Sequence, residues 1–579
     1  MTYFETHITD LILKFFRKNA HLLSSYNEIN DLIKKISGIN NFFTSQTEAT
    51  FLLETINTEI YIVSEPDRRE YGDFQTNKSL ALSVVEYALL KRNDFEFLLE
   101  PTCGRGNFIL AFLMQSKSLR KVVGVEIYLP YVWETKLKIL DYYLSNEEIP
   151  KPEIDIVHGN AFEFSYQELA KQTKNLITLI IGNPPWVTNS ELGSIDSKNL
   201  PEKSNFKKHS GFEAITGKGN FDIGESISIS MLRCFENHTG IFAFLIKNSV
   251  VKNIIYDQKK NKFRIAKSEK LNIDSKKEFN VSVDACLFLS HLNNKPDLIC
   301  KEIDFYSKNY ITSFGWCKDK FVYSIKDYDQ TGLIDGESIF TWRSGIKHDC
   351  SSVMELERIN GHFRNDLGQD AKLENNLVYG LLKSSDLRGD KASAYRKITI
   401  VTQKKIGQDT KYIQEKFPLT YQYLKSNKDY FDKRKSSIYK DKPDFSIFGI
   451  GDYSFANYKV AISGLYKSTH FTLVYPDDFK PVMLDDTCYF IGFDQLKLAQ
   501  IAHYLLNSDL VQKFLKSIIF LDAKRPITKD VLMRIDFEKT FDNSNFEAAK
   551  ERIEHLNIND WEKFGKMVKP VVSEQMALF

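Results

Sequence analysis

Asn183-Pro184-Pro185-Trp186 closes the apolar run Leu176-Ile177-Thr178-Leu179-Ile180-Ile181-Gly182, and the reading of this stretch decides the fold. The run has the length and apolarity of a strand buried on both faces and ended by a turn. Proline fixes its own φ and restricts the residue before it, so the next four residues form a stiff corner at the strand's C-terminal end. The Asn183 side chain and the Pro184 carbonyl are then two acceptors facing one way. Trp186 is expected beside them as an exposed flat face. Such a corner suits a planar group that bears an exocyclic amine: the acceptors take its two N–H hydrogens and its ring stacks on the indole. The alternative is a tight turn closing a strand over a core tryptophan.

Working outward, apolar segments at 97–99, 122–125, 154–157, 176–181, 241–246 and 285–289 alternate with helical patterns. That alternation predicts a parallel sheet with helices on both faces, whose ligands bind at the C-terminal strand ends. The first segment runs into Glu100-Pro101-Thr102-Cys103-Gly104-Arg105-Gly106-Asn107-Phe108. Gly104 and Gly106 lack a Cβ, so a ligand can approach the backbone. The stretch lacks the third glycine of a dinucleotide fingerprint, and Glu100 suits a cationic or hydroxyl-bearing ligand better than a phosphate. Glu126 ends the next segment, where an acid can bind both hydroxyls of a ribose. The third ends in His158-Gly159-Asn160-Ala161-Phe162, with Asn160 placed to bond an adenine amine and Phe162 to pack on its ring. Upstream, Tyr71-Gly72-Asp73-Phe74-Gln75-Thr76 precedes a helix that Thr76 is predicted to cap, covering the ligand's other end. All four constellations fall on strand C-termini in register, which favours one ligand cleft over four unrelated turns.

The 579 residues suggest roughly three or four domains at about 150 residues each. A helical segment is expected at 1–65, the alternating domain at 66–295 and a region of mixed short strands and helices at 296–579. The net charge of +2 does not mark a nucleic-acid binder, so any such face must arise from local charge segregation. The seven cysteines form no C-x-x-C pair. A zinc site is therefore not expected, and no metal is assigned. Dispersed cysteines, no signal-like N-terminus and no run approaching the ~18 residues of a membrane span predict a cytoplasmic protein.

These motifs, in this order, resemble the S-adenosylmethionine-dependent DNA adenine-N6 methyltransferases of the gamma class, over roughly 66–295. The resemblance implies a Rossmann-like class I methyltransferase α/β sheet and a C-terminal α+β target-recognition domain. It implies S-adenosylmethionine as cofactor, bound by Thr76, Glu100, Thr102, Gly104, Gly106, Glu126, Asn160 and Phe162. It implies site-specific methylation of an adenine flipped out of double-stranded DNA, held by Asn183, Pro184, Pro185 and Trp186. Asn160 departs from the family, which usually places Asp there. Gly219-Asn220-Phe221-Asp222-Ile223-Gly224-Glu225 looks like the family's following motif, and Phe279 stands where the family places an aromatic opposite the catalytic one. A core phenylalanine is the other reading of Phe279. Cytosine-N4 methylation, an RNA or protein-glutamine substrate, and a non-catalytic DNA-binding subunit stay open as alternatives.

Sequence recognition is expected beyond 296. Segments 342–349 and 381–387 are reminiscent of target-recognition regions. Lys404, Lys405, Lys433, Arg434 and Lys435, interleaved with Tyr430, Phe431 and Tyr439, form a candidate DNA-binding face. A solvated charged surface is the alternative. The polar loop 188–219, with five lysines, either closes over DNA or is filler. Pro443-Asp444 is not followed by a nuclease-like Glu-x-Lys, so any cognate restriction endonuclease is expected on a separate chain.

Overall fold

A computed structural model describes residues 9–58, 74–187, 222–392, 394–478, 480–523 and 525–569. Tyr71-Gly72-Asp73, the loop 188–219 and Gly219-Asn220-Phe221 lie outside the described residues. Two compact units divide the chain, Met1–Phe321 and Val322–Phe579.

The first unit is built on β1 Phe97–Glu100, β2 Lys121–Glu126, β3 Glu153–His158, β4 Thr178–Gly182, β5 Gly240–Lys247, β6 Ile265–Ile273, β7 Ala285–Leu292, β8 Ile299–Asp304, β9 Tyr310–Cys317 and β10 Lys320–Val322. They form one sheet in the order β10-β9-β8-β6-β7-β5-β4-β1-β2-β3. β3, β2, β1, β4 and β5 run parallel. β1 and β4 are buried throughout, as strands covered on both faces must be. The expectation of a parallel sheet is corrected beyond β5: β7 lies antiparallel to both β5 and β6. An apolar run carries no mark of its direction, so alternation alone could not reveal the reversal. The sheet does not end at residue 295. β8 pairs with β6, and β9 pairs with β8, so backbone hydrogen bonds carry the sheet beyond that point.

The N-terminal helices α1 Asp10–Lys18, α2 Tyr26–Ser37 and α3 Gln46–Thr58 belong to this unit rather than standing apart. After them come α4 Lys78–Lys91, α5 Asn107–Gln115, α6 Leu129–Leu144, α7 Tyr166–Gln172 and α8 Ile223–Phe235, interspersed with the first five strands. The apolar stripes of α1 and α2 bury Phe16, Ile29 and Ile33. Phe42 and Phe43 each meet Trp133 of α6 at 5.6 Å between ring centroids. The Lys136 ammonium, sunk beneath that cluster, donates to the carbonyls of Asn41 and Phe42 at 3.0 and 2.9 Å. Burial lowers its pKa to about 8. Beyond α2, Ile39 bridges Ile154 and so covers part of the free edge of β3.

The second unit is α+β. One sheet orders Arg343–Ser344, Cys488–Phe493, Tyr458–Ser463, Thr472–Val474 and Lys391–Ala392. Another orders Asp370–Ala371, His362–Asn365, Glu355–Ile359, Lys397–Ile400, Val378–Leu382 and Met483–Leu484. Helix Leu496–Leu506 packs its buried leucine and alanine face on the first of these sheets. No helix among the described residues is long and apolar enough to cross a membrane.

Candidate functional site

β2 and β3 extend the sheet to one side of β1, and β4 returns to pair with β1 on the other. That reversal opens a crevice at the C-terminal strand ends. A cleft occupies it, lined by Thr76, Glu100, Thr102, Gly104, Glu126, Asn160, Phe162, Asn183, Pro184 and Pro185. The fold thus brings most of the sequence-derived candidates together. Gly106 stands just outside the lining as the N-cap of α5.

The turn after β1 needs its glycines. Gly104 and Gly106 have φ of +51° and +70°, which L side chains rarely adopt. A Cβ on Gly104 would meet the Gln75 side chain at 2.5 Å, and one on Gly106 would meet Thr135 Cγ2 at 2.5 Å. The Gly104 N–H donates to Glu126 Oε2 at 2.7 Å, and the Tyr128 N–H donates to Oε1 at 2.8 Å. The backbone therefore aims the Glu126 carboxylate at the cleft. Glu100 is 2% exposed and its Oε2 has no hydrogen-bond partner among the described residues, nor has Thr102 Oγ1. Burial pushes the Glu100 carboxyl well above the usual carboxylate range, and neighbouring Glu126 adds to the effect. Buried polar atoms without partners are uncommon in folded proteins, and a pair of them in one cleft points to a polar ligand.

Asn160 folds back on its own turn: its Oδ1 accepts from the Phe162 N–H at 2.9 Å, which orients the Phe162 ring into the cleft wall. Thr76 lines the cleft but does not cap the following helix. Asn77 does, accepting from the Leu80 N–H at 2.8 Å at the start of α4. A threonine and an asparagine side by side are both competent caps, so sequence could not assign the register. The Asn77 amide also donates to Glu278 Oε2 at 2.9 Å, next to Phe279.

At the tip of β4, the Asn183 amide donates to the Phe74 carbonyl at 2.6 Å, with Thr76 Oγ1 at 3.3 Å. Its N–H hydrogens are consumed within the protein. Asn183 Oδ1 is buried and has no hydrogen-bond partner among the described residues. The side chain is thereby fixed with its acceptor end bare, and the amide orientation follows from the two acceptors upstream. α8 docks against this corner: the Ile223 N–H donates to the Val187 carbonyl at 3.0 Å. Asp222 caps α8 and pairs with Lys247 at 2.7 Å.

The aromatic residues differ from expectation. Trp186 is only 5% exposed, and its indole N–H donates to the Leu245 carbonyl at 3.2 Å. Phe279 is buried and meets Trp186 edge to face, with centroids 4.9 Å apart and planes at 70°. The rings do not face each other across a base-wide gap. Phe74 lies on Trp186 at 5.5 Å. Phe74, Gln75 and Ile223, which stand in the sequence motifs without an assigned role, also line the cleft, as does Tyr128, which sequence reading missed. The signal for Tyr128 was its place two residues after Glu126.

In the second unit, Lys404, Lys405, Lys433 and Lys435 are exposed. Arg434 is not available in the same way, and its assignment to a DNA-binding face is corrected. Its guanidinium donates to the carbonyls of Phe431, Ser446 and His348 at 3.0, 2.7 and 3.4 Å and stacks 3.7 Å from the Tyr439 ring. It pins three stretches of backbone together. Arg434→Ala is expected to destabilise the second unit by about 1–3 kcal/mol, read as a lower midpoint in urea, because it leaves those carbonyls without a donor.

No protein-family model matches the chain. Over 487 residues it is 40% identical to the type II methyltransferase M.NspV of Nostoc sp. (strain ATCC 29411 / PCC 7524), covering 82% of this chain and 98% of that protein. Among solved structures, the type IIL restriction-modification enzyme MmeI in complex with DNA superposes with a TM-score of 0.53 at 12% identity. The match covers 97% of this chain and 90% of that one, and at that identity it speaks for the fold alone.

Proposed function

The chain belongs to the type II methyltransferase family, and on that premise we propose that it methylates the N6 amine of an adenine flipped out of double-stranded DNA, with S-adenosylmethionine as donor. The single observation that carries the reading is Asn183, whose amide hydrogens are spent on Phe74 and Thr76 while Oδ1 stays buried and unpaired among the described residues. A bare buried acceptor at a strand tip is costly unless a donor comes to it. An exocyclic amine is such a donor.

The cleft suits the cofactor on its own chemistry. Glu126, oriented by the Gly104 and Tyr128 amides, faces the cleft where it can accept from two vicinal hydroxyls. Phe162 and Asn160 wall the adenine end, and Glu100 and Thr102 offer acceptors for a cationic end. When bound, S-adenosylmethionine supplies a methyl group activated by its sulfonium. The protein supplies the rest. Asn183 Oδ1 and the Pro184 carbonyl accept from the two N–H bonds of the target amine and pull its lone pair out of conjugation. They also stabilise positive charge developing on that nitrogen, without reorganising during the reaction. Pro184 and Pro185 hold those acceptors rigidly, and holding the amine in line with the methyl group supplies much of the acceleration. Water accepts the proton afterwards. Trp186 braces the corner, packed between Phe74 and Phe279, so an extruded base stacks on it only once those rings make room. Extrusion costs a few kcal/mol, which that stacking offsets in part.

Lys404, Lys405, Lys433 and Lys435 are assigned to DNA phosphates. Their joint replacement by alanine is expected to weaken duplex binding. In a plot of log affinity against log salt, the slope should flatten by about 0.9 for each phosphate no longer neutralised. A slope equal to wild type removes this face from the account. Supplying duplex DNA, RNA and protein in parallel with labelled donor tests the substrate class: label in DNA alone is expected, and label in RNA or protein alone transfers the function to one of the alternatives.

A further inference from the structure

Asp390, His470 and His503 lie far apart in sequence, and the second unit brings one ligand atom of each within 4.8 Å of the others. His470 Nε2 stands 3.1 Å from Asp390 Oδ1. Two donors each about 2.0 Å from a tetrahedral zinc ion sit about 3.3 Å apart, so this spacing is that of neighbouring ligands as well as of an ion pair. We propose that these three side chains bind a divalent transition-metal ion of the zinc type, which ties helix Leu496–Leu506 to the edge of the sheet carrying Lys391–Ala392.

The surrounding bonds fix the ring of His503 and the backbone beside Asp390 and His470 before any ion arrives. Nε2 of His503 lies 2.9 Å from the Phe471 carbonyl, so a ring that donates there presents Nδ1 as its bare nitrogen. Ligating histidines ordinarily donate their other N–H to such a carbonyl. Asn507, one turn beyond His503, grips the peptide next to His470 from both sides: Phe471 N–H donates to its Oδ1 at 2.9 Å, and its amide donates to the Phe471 carbonyl at 2.9 Å. The Leu473 N–H donates to the Asp390 carbonyl at 2.8 Å, and Thr472 Oγ1 donates to the Gly389 carbonyl at 2.8 Å. The donor set, two imidazoles and a carboxylate, suits zinc, cobalt or nickel and leaves a further position for water. Cysteine spacing, on which sequence reading excluded zinc, has no bearing on such a set.

The test uses the full chain, stripped with chelator and titrated with Zn2+ by calorimetry and with Co2+ by visible absorption. One ion per chain and a higher unfolding temperature with Zn2+ are expected. Asp390→Asn, His470→Gln and His503→Gln should each weaken binding by at least about 100-fold, since changes even to groups behind the ligands cost 10–100-fold. Asp390 is exposed and His503→Gln keeps a donor for the Phe471 carbonyl, so both variants are expected to fold as wild type without metal, checked by circular dichroism. No ion bound by the wild-type chain overturns the proposal. So does binding that all three variants retain, which would place the ion elsewhere.

Discussion

Asn183→Ala is expected to keep its affinity for S-adenosylmethionine within a few-fold and to lose about 1000-fold in the rate of methyl transfer under single-turnover conditions. The magnitude is that of removing one preorganised polar group from a transition state that develops charge. The separation of effects follows from position. Asn183 stands at the tip of β4, while the carboxylates assigned to the cofactor stand on β1 and β2. The substitution also frees the Phe74 carbonyl and Thr76 Oγ1, which Asn183 now holds. Calorimetry with the cofactor controls for that: a large loss of cofactor affinity would mean that Asn183 organises the cleft instead of acting on the amine.

Glu100→Gln is expected to have effects of opposite sign on stability and on binding. In the fold, burial and Glu126 raise the Glu100 carboxyl well above the usual range. The folded protein therefore prefers the protonated form. Its contribution to stability falls as pH rises from the unfolded value near ~4.3 through the raised folded value. Glutamine is neutral and nearly isosteric, so the cofactor-free variant should unfold at a higher temperature than wild type, by a margin that grows across that window. A cationic ligand reverses the preference by favouring the carboxylate. Wild-type affinity for S-adenosylmethionine should then increase with pH across the same window, and the variant should bind about 10–100-fold more weakly, the worth of a hydrogen bond to a charged group. A variant less stable than wild type, with unchanged cofactor affinity, would make Glu100 a structural residue.

Much of this was legible because chemistry and backbone coincide at strand ends. The apolar runs at 97–99, 122–125 and 176–181 became β1, β2 and β4 within a few residues, and each is followed by the side chain that its turn presents to the cleft. What sequence could not supply was the environment of single side chains. Trp186 and Phe279 are both aromatic and plausibly exposed by type, yet only packing against Phe74 and the Leu245 carbonyl decides that Trp186 braces the corner. Arg434 sits between two exposed lysines and reads like them, but three carbonyls claim its guanidinium. The reach of the sheet beyond 295 depended on pairing partners distant in the chain. Asp390, His470 and His503 share no local pattern at all; only the topology brings them together.

Nucleoside analysis of duplex DNA of diverse sequence, digested after incubation with the purified protein and isotopically labelled S-adenosylmethionine, tests the central claim most directly. The account predicts label in N6-methyladenine, confined to one sequence context and absent when Asn183→Ala replaces wild type. Label in N4-methylcytosine, or adenine left unmodified throughout, would contradict it.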